Sequence, residues 1–375
     1  MTDESFYAIA LSRLKGLGLQ NALTLYREVG SAKDVFMGLV ELKGKEPALH
    51  SRIQKILDEG SSAALKAAEE EMAFCKKHGI EVLDVGSEAY PYRLRQCKDA
   101  PLVLYYKGNT DLNALHVVTV VGTRRCTEYG KDLCHSFTSD LARLCPDTLV
   151  VSGLAYGIDI HAHRGALSAG LPTVAILAHG LDRIYPYAHR ETAKLMVEHG
   201  GLLTEFPIGT NPDKGNFVRR NRIAAGMCDA CVVVESGSKG GSLITANQAM
   251  SYDRQVFAFP GRSTDEVSQG CHALIRKNTA GLITCAEDMV CDMDWITQQQ
   301  RAEALQKPSH PELFPRLSDD EQALVGLLQG CEGLQINQAV LKTGLPVGKV
   351  ASLFLELEIK GIIKCMPGYI YRLIQ

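Results

Sequence analysis

Aromatic residues are scarce in this chain of 375 residues, at 6% of the total with one tryptophan. No apolar run approaches the ~20 residues that a membrane-spanning helix requires, so no segment is a candidate to cross a bilayer. Excess charge of either sign is also missing: 40 Lys and Arg stand against 43 Asp and Glu, a formal charge of -3. That balance excludes a protein that coats nucleic acid by bulk charge. Any anion site must therefore be a local concentration of cations. The 12 cysteines follow no regular spacing. The opening MTDESFYAIALSRL is acidic and amphipathic, without a basic stretch leading into an apolar signal core. Both features point to a reducing cytoplasm. Cys228 and Cys231 form a close pair, but no second pair lies at zinc spacing. They read as two small buried residues leading into a strand.

What the chain does have is enough apolar material, 46%, to bury a full-sized core, and enough length for two or three domains. Residues 1–65 carry apolar positions at helical spacing through YAIALSRL and LTLYREV, interrupted by LKGLG at 14–18. This predicts a helical domain of SAM or helix-hairpin-helix type, in which turn N–H groups meet a phosphate; a plain helical turn fits the same pattern. From 70 to 295 the texture changes to short β-branched runs alternating with helical patterns: HVVTVVG, TLVVSG, PTVAILAHG, LLTEF, ACVVVES and QVFAFPG. Near-continuous apolar strands separated by helices predict a doubly wound, Rossmann-like α/β sheet covered on both faces.

Residues 296–315 are polar, carry three prolines in QKPSHPELFP and read as a linker. From 316 to 375, three helical patterns and two short strands predict a winged helix, opened by a capping box at Ser318 and Glu321. Its third helix sets Glu356 and Glu358 against Lys349 and Lys360, and residues 310–375 hold seven acidic and six basic side chains. That balance favours a protein-contact or structural role over DNA reading.

Ligands of doubly wound sheets bind at the carboxyl ends of the strands. Three such ends are rich in Gly, Ser and Arg: Gly122, Thr123, Arg124 and Arg125 after HVVTVV; Ser152 and Gly153 after TLVV; and Ser236 to Ser242, with Gly240 and Gly241, after VVVE. Glycine admits close backbone approach, hydroxyls donate, and the next helix adds its dipole, so all three suit an anion. The segment GNFVRRNRIAAG adds Phe217, Arg219, Arg220, Asn221 and Arg222, directly behind Lys214 and Asn216. Cations beside a stackable ring are what single-stranded nucleic acid requires.

Enzyme readings fare worse. Lys239 precedes Gly240 and Gly241 instead of following them, which excludes a Walker loop, and no G-x-G-x-x-G follows the first strand of the parallel set. Asp159, His161 and His163 resemble metal ligands, yet residues two apart on a helix diverge. Capping by Asp159 and packing by His163 are expected there, and no metal or cofactor. Ser152 sits in no G-x-S-x-G elbow. The alternative enzyme is a nucleotide phosphoribohydrolase of the cytokinin-activating type, whose phosphate loop SGSKGGSLITANQAM distantly resembles. Glu235, however, lies before the glycines, and Asn247 and Gln248 occupy the helix that should carry the acid/base carboxylate.

GTRRCTEYG, SGLAYGIDIHAHRGAL, NFVRRNRIAAG and SGSKGGSLITA, in this order and spacing, closely resemble the DNA-processing protein A family, DprA or Smf. AYPYRLRQCKDAPLVLYYKG resembles the family's lead-in to an extended Rossmann domain. The resemblance covers residues 85–290 strongly. It implies a non-enzymatic, homodimeric protein, paired through its Rossmann domain, that binds and protects single-stranded DNA during natural transformation and helps load the RecA recombinase. By motif position the DNA pocket would comprise Gly122, Thr123 and Arg124; Ser152 and Gly153; Lys214, Asn216 and Phe217; Arg219, Asn221 and Arg222; and Gly240, Gly241 and Ser242. In this reading Phe217 stacks on a base while Arg124 and Lys214 hold phosphates. A pure protein scaffold is the third class, distinguished by lack of DNA retention at any salt.

Overall fold

The computed structural model describes residues 2–37, 47–296, 317–329, 333–360, 362–366 and 370–373. The chain divides into two compact units, Met1–Ala304 and Leu305–Gln375. The first is built on nine strands: β1 Glu81–Asp84, β2 Val103–Gly108, β3 His116–Val121, β4 Thr148–Ser152, β5 Thr173–Ile176, β6 Gly200–Thr204, β7 Ala230–Val233, β8 Gln255–Ala258 and β9 Gly281–Leu282. They form one sheet in the order β1-β2-β6-β5-β4-β3-β7-β8-β9. The pairings from β6 across to β9 are parallel, whereas β1 with β2 and β2 with β6 are antiparallel. The six apolar runs recognised in the sequence are β3 to β8.

Alternation along each strand sends side chains to two cores, as the pleat requires. Val117, Val121, Val151 and Val233 face the helices Lys214–Met227 and Gly241–Ser251. Val118, Val120, Val150 and Val232 face the helices Glu128–Leu144, Ile158–Ser168 and Ala286–Asp292. Every one of these valines is buried. The doubly wound reading therefore holds. Cys228 and Cys231 are wholly buried in the first of these cores, as small packing residues.

The N-terminal helices belong to the same compact unit. Ile9 and Leu11 share one core with Leu104 and Tyr105 of β2, and the Ser5 hydroxyl donates to Asp84 at the end of β1 at 2.7 Å. The LKGLG segment turns between helices Asp3–Arg13 and Leu19–Val29, with Gly16 and Gly18 at φ +88° and +76°. A single helix, Pro47–His78, runs through the boundary expected at 65–70, because an amphipathic face continues across it. All but one residue of the expected 296–315 linker lies outside the described residues.

The second unit is a winged helix: helices Asp319–Gln329, Ile336–Thr343 and Val347–Ile359 with β10 Leu334–Gln335, β11 Ile363–Met366 and β12 Ile370–Leu373, ordered β10-β12-β11. The capping box forms as expected: the Ser318 N–H donates to Glu321 at 2.8 Å and the Glu321 N–H to the Ser318 hydroxyl at 3.4 Å. Both lysines of the third helix region are engaged within the unit, Lys349 with Asp320 and Lys360 with Glu321.

His163 tests the burial of the first unit. Its Nδ1 lies 2.7 Å from the Thr173 hydroxyl, its Nε2 has no partner, and burial pushes its pKa down to about 3 from the ordinary 6.5. The unfolded imidazole thus binds a proton that the folded one refuses, so this contribution is complete above pH 6.5 and is lost as pH falls towards 3. Replacing His163 by Asn should flatten the stability-versus-pH curve over that interval by about 1.4 kcal/mol per pH unit. Urea unfolding read on the single tryptophan, Trp295, stacked on His116 at 4.2 Å, measures it.

Candidate nucleic-acid interface

The strand order reverses at β3, which pairs with β4 on one side and β7 on the other. Three loops leave the carboxyl ends of these strands, at residues 122–127, 153–157 and 234–240. They are bonded to one another. The buried Glu235 carboxylate accepts the Thr127 N–H at 2.9 Å and the Thr127 hydroxyl at 2.5 Å, while the Glu235 carbonyl accepts the Thr123 N–H at 2.7 Å. One residue of the third loop thereby fixes both ends of the first. The Thr123 carbonyl accepts the Ile158 N–H at 3.1 Å, tying in the second loop. Gly157, at φ +77°, lies so close to Thr123 and Arg124 that a Cβ would overlap their backbone.

Arg124 is thus held outward, and its guanidinium lies 4.9 Å from the centroid of the Phe217 ring. Phe217 is half-buried in the first turns of the helix Lys214–Met227, with Tyr185 5.9 Å away. Lys214 is exposed at the first position of that helix. No carboxylate pairs with Arg124 or Lys214 among the described residues. The helices beginning at Ile158, Lys214 and Gly241 all lack a side-chain cap. The dipole at such ends favours an anion by about 0.3–1 kcal/mol per terminus, although at the first of these helices the Ile158 N–H is already given to Thr123 and Asp159 places a carboxylate in the first turn.

Other residues picked from the sequence are engaged within the protein. The Ser152 hydroxyl, fully buried, donates to the Val120 carbonyl at 2.6 Å. Ser242 donates to Ser236 at 2.9 Å, Asn216 to the Asn211 carbonyl at 3.0 Å, and Asn221 to the Gly241 carbonyl at 3.4 Å. Thr123 accepts the Arg125 N–H at 3.2 Å. Gly241 faces open space, and Gly240 packs on Ser236. Arg222 is buried, bonded to the Asp99 carbonyl and paired with Glu205 at 2.5 Å; Arg219 reaches the same carboxylate at 3.1 Å. Asp159 does not cap its helix, a place taken by Gly157; it accepts the Ala155 N–H at 3.4 Å. No cluster of three or more His, Cys, Asp or Glu suited to a metal occurs among the described residues.

Two residues outside the pocket assigned by motif position matter here. Glu235 holds the Arg124 loop, as described. Arg220 is 5% exposed, has no hydrogen-bond or ion-pair partner among the described residues, and lies against Gly153, where a Cβ would collide with its guanidinium. Burial lowers its pKa, opposed by the Asp159 charge; burial raises that of Asp159, opposed in turn by Arg220. The Asp159 charge offsets part of the cost of burying this cation, while the Arg220 Nε has no hydrogen-bond partner among the described residues. The run of three arginines was visible in the sequence, but which of them lacked a partner was not.

An open sheet with uncapped helix N-termini, close-packed glycines and exposed cations at its reversal makes this a Rossmann-like protein whose rim suits an anion. Residues 81–294 match the model of the DNA recombination-mediator protein A family, and residues 307–369 that of the DprA winged helix domain. The chain belongs to this family, DprA or Smf. It is 37% identical to the putative DNA processing protein DprA of Mycobacterium tuberculosis over 74% of this chain and 70% of that one. Protein Smf of Synechocystis is 29% identical over 99% of both. Among solved structures, DNA processing protein A from Streptococcus pneumoniae aligns with TM-score 0.64 and 32% identity over 78% of this chain and 98% of that one. The Helicobacter pylori protein, described for its single-stranded DNA binding mode, aligns with TM-score 0.52 and 29% identity over 58% and 96%.

The pairing of Arg222 predicts a structural phenotype. Arg222→Ala should destabilise the first unit by about 3–5 kcal/mol, since it weakens the neutralisation of a buried carboxylate. Arg219→Ala, removing the more exposed partner, should cost about 1 kcal/mol or less. Urea unfolding of both variants on Trp295 fluorescence distinguishes them.

Proposed function

We propose that this chain binds single-stranded DNA along the carboxyl rim of the first unit's sheet, protects it during natural transformation, and helps load the RecA recombinase as a homodimer paired through that unit. The observation that carries the reading is the stack of Arg124 on Phe217 at 4.9 Å, with Lys214 on the same helix as the ring. A cation and an aromatic face side by side suit a flexible polyanion whose bases are open for stacking. The name of the Helicobacter pylori relative supports the same ligand class. Within the proposed pocket, Arg124 and Lys214 contact phosphates, Phe217 takes a base, the Gly240-Gly241-Ser242 turn offers backbone N–H groups, and Arg220 waits beneath Gly153. Gly122, Thr123, Ser152, Asn216, Arg219, Asn221 and Arg222 serve by shaping the loops.

A glycosidic hydrolase would need a solvent-facing carboxylate beside the glycine turn. Glu235 is buried and committed to Thr127, which favours a binding role without a catalytic step. In the winged helix, the pairing of Lys349 and Lys360 with acids of the first helix leaves them poorly placed for phosphates and favours contact with protein.

Arg124→Ala and Lys214→Ala should each weaken single-stranded DNA binding and lower the slope of log K against log salt by ~0.7. Phe217→Ala should cost about 1–3 kcal/mol with the fold intact. Oligonucleotide titrations at several salt concentrations, with circular dichroism as a folding control, test this. Unchanged affinity and slope in both cation variants refute the site. Release of free base from nucleoside monophosphates would establish the hydrolase instead.

A further inference from the structure

Tyrosine is unusually exposed on one part of the same rim. Tyr187 is 73% exposed, Tyr156 50% and Tyr185 44%. All three lie on loops that leave the carboxyl ends of β4 and β5, beside the cluster just described. Tyr185 continues directly from Phe217, with centroids 5.9 Å apart and planes inclined at 58°, so neither ring covers the other's face. Tyr156 meets His189 edge-on at 4.9 Å, leaving its own outer face open. Arg190 lies 5.8 Å from the Tyr187 centroid and donates to its hydroxyl at 3.3 Å, holding that ring in place.

The local acids are already neutralised. Asp182 pairs with Arg183 at 2.8 Å and Glu191 with Lys194 at 2.9 Å. No carboxylate pairs with Arg190 among the described residues. Exposed rings, one of them beside Phe217 and another beside Arg190, offer open faces for stacking next to a guanidinium. Its chemistry repeats that of Arg124 and Phe217: an aromatic face and an adjacent guanidinium.

We propose that the nucleic-acid path does not end at Phe217 but continues over the loop between β5 and β6, where Tyr185 and Tyr187 stack further bases and Arg190 contacts a further phosphate. This rests on the single-stranded DNA reading and deepens it: the site takes several consecutive nucleotides, with length dependence set by the tyrosine loop. Sequence tolerance follows, because every base offers a face to a ring. Tyr156 borders the path through His189.

The test uses the full chain and labelled oligothymidylates of about four and about sixteen nucleotides, titrated by fluorescence anisotropy. Tyr187→Ala and Arg190→Ala should weaken binding of the longer strand, the former by roughly five- to a hundredfold. Both should leave the shorter strand within about twofold of the parent. Tyr187→Phe, which keeps the ring, should restore binding of the longer strand, whereas Phe217→Ala should weaken both lengths. If Tyr187→Ala and Arg190→Ala bind the longer strand like the parent while Arg124→Ala is weakened, the extension is overturned and the tyrosines belong to a protein-facing surface. Failure of the parent protein to bind either strand would overturn the underlying reading together with the extension.

Discussion

The architecture of the rim depends on Glu235. This residue lies two positions beyond β7, beside β3 where the strand order reverses, and it bonds the β3 loop at both ends, through its carbonyl to Thr123 and its carboxylate to Thr127. A carboxylate buried this deeply is tolerated only when its oxygens are satisfied. Thr127 supplies both partners and in turn caps the helix Glu128–Leu144, its hydroxyl accepting the Gly130 N–H at 3.2 Å. Loop position, helix start and outward direction of Arg124 are therefore one coupled arrangement. A surface loop carrying adjacent arginines would otherwise have little reason to hold a single conformation.

Geometry also divides the basic residues by task. Within the helix Lys214–Met227, Lys214 is exposed, Arg219 and Arg222 converge on Glu205, and Arg220 turns under Gly153. Helical spacing explains the division: positions 219 and 222 are three apart and share a side, while 220 lies about 100° away. The same rule sets His161 apart from Asp159 and His163, which are four apart and share a side. In a chain with net charge -3, this concentrates free cation where the glycine turns are, so that an anion is drawn to one rim and not to the whole surface.

The winged helix follows a different economy of charge. Lys349 of the third helix and Lys360 at its end reach acids on the first helix, and stacking of Phe354 on Tyr371 at 4.4 Å joins the third helix to the β-ribbon. Leu341, Val347 and Leu355 are left exposed on the second and third helices.

The sequence by itself determined the doubly wound sheet, because six β-branched runs alternating with amphipathic helices have few other ways to bury their apolar faces. It also determined the capping box at Ser318 and the identity of the glycine-rich turns, both signalled by local spacing. β1, β2 and β9 were not legible as part of that alternation: β9 has two residues, and β1 and β2 join antiparallel at the edge. The continuity of Pro47–His78 was likewise hidden by Gly60 and the serines beside it. Only the tertiary structure decided which hydroxyls and arginines remain available, since Ser152, Ser242 and Arg222 find their partners on segments distant in the chain or around a turn. Local sequence sets the chemistry a residue carries; long-range packing sets whether that chemistry faces inward, to be satisfied by the protein, or outward, to be offered to a ligand.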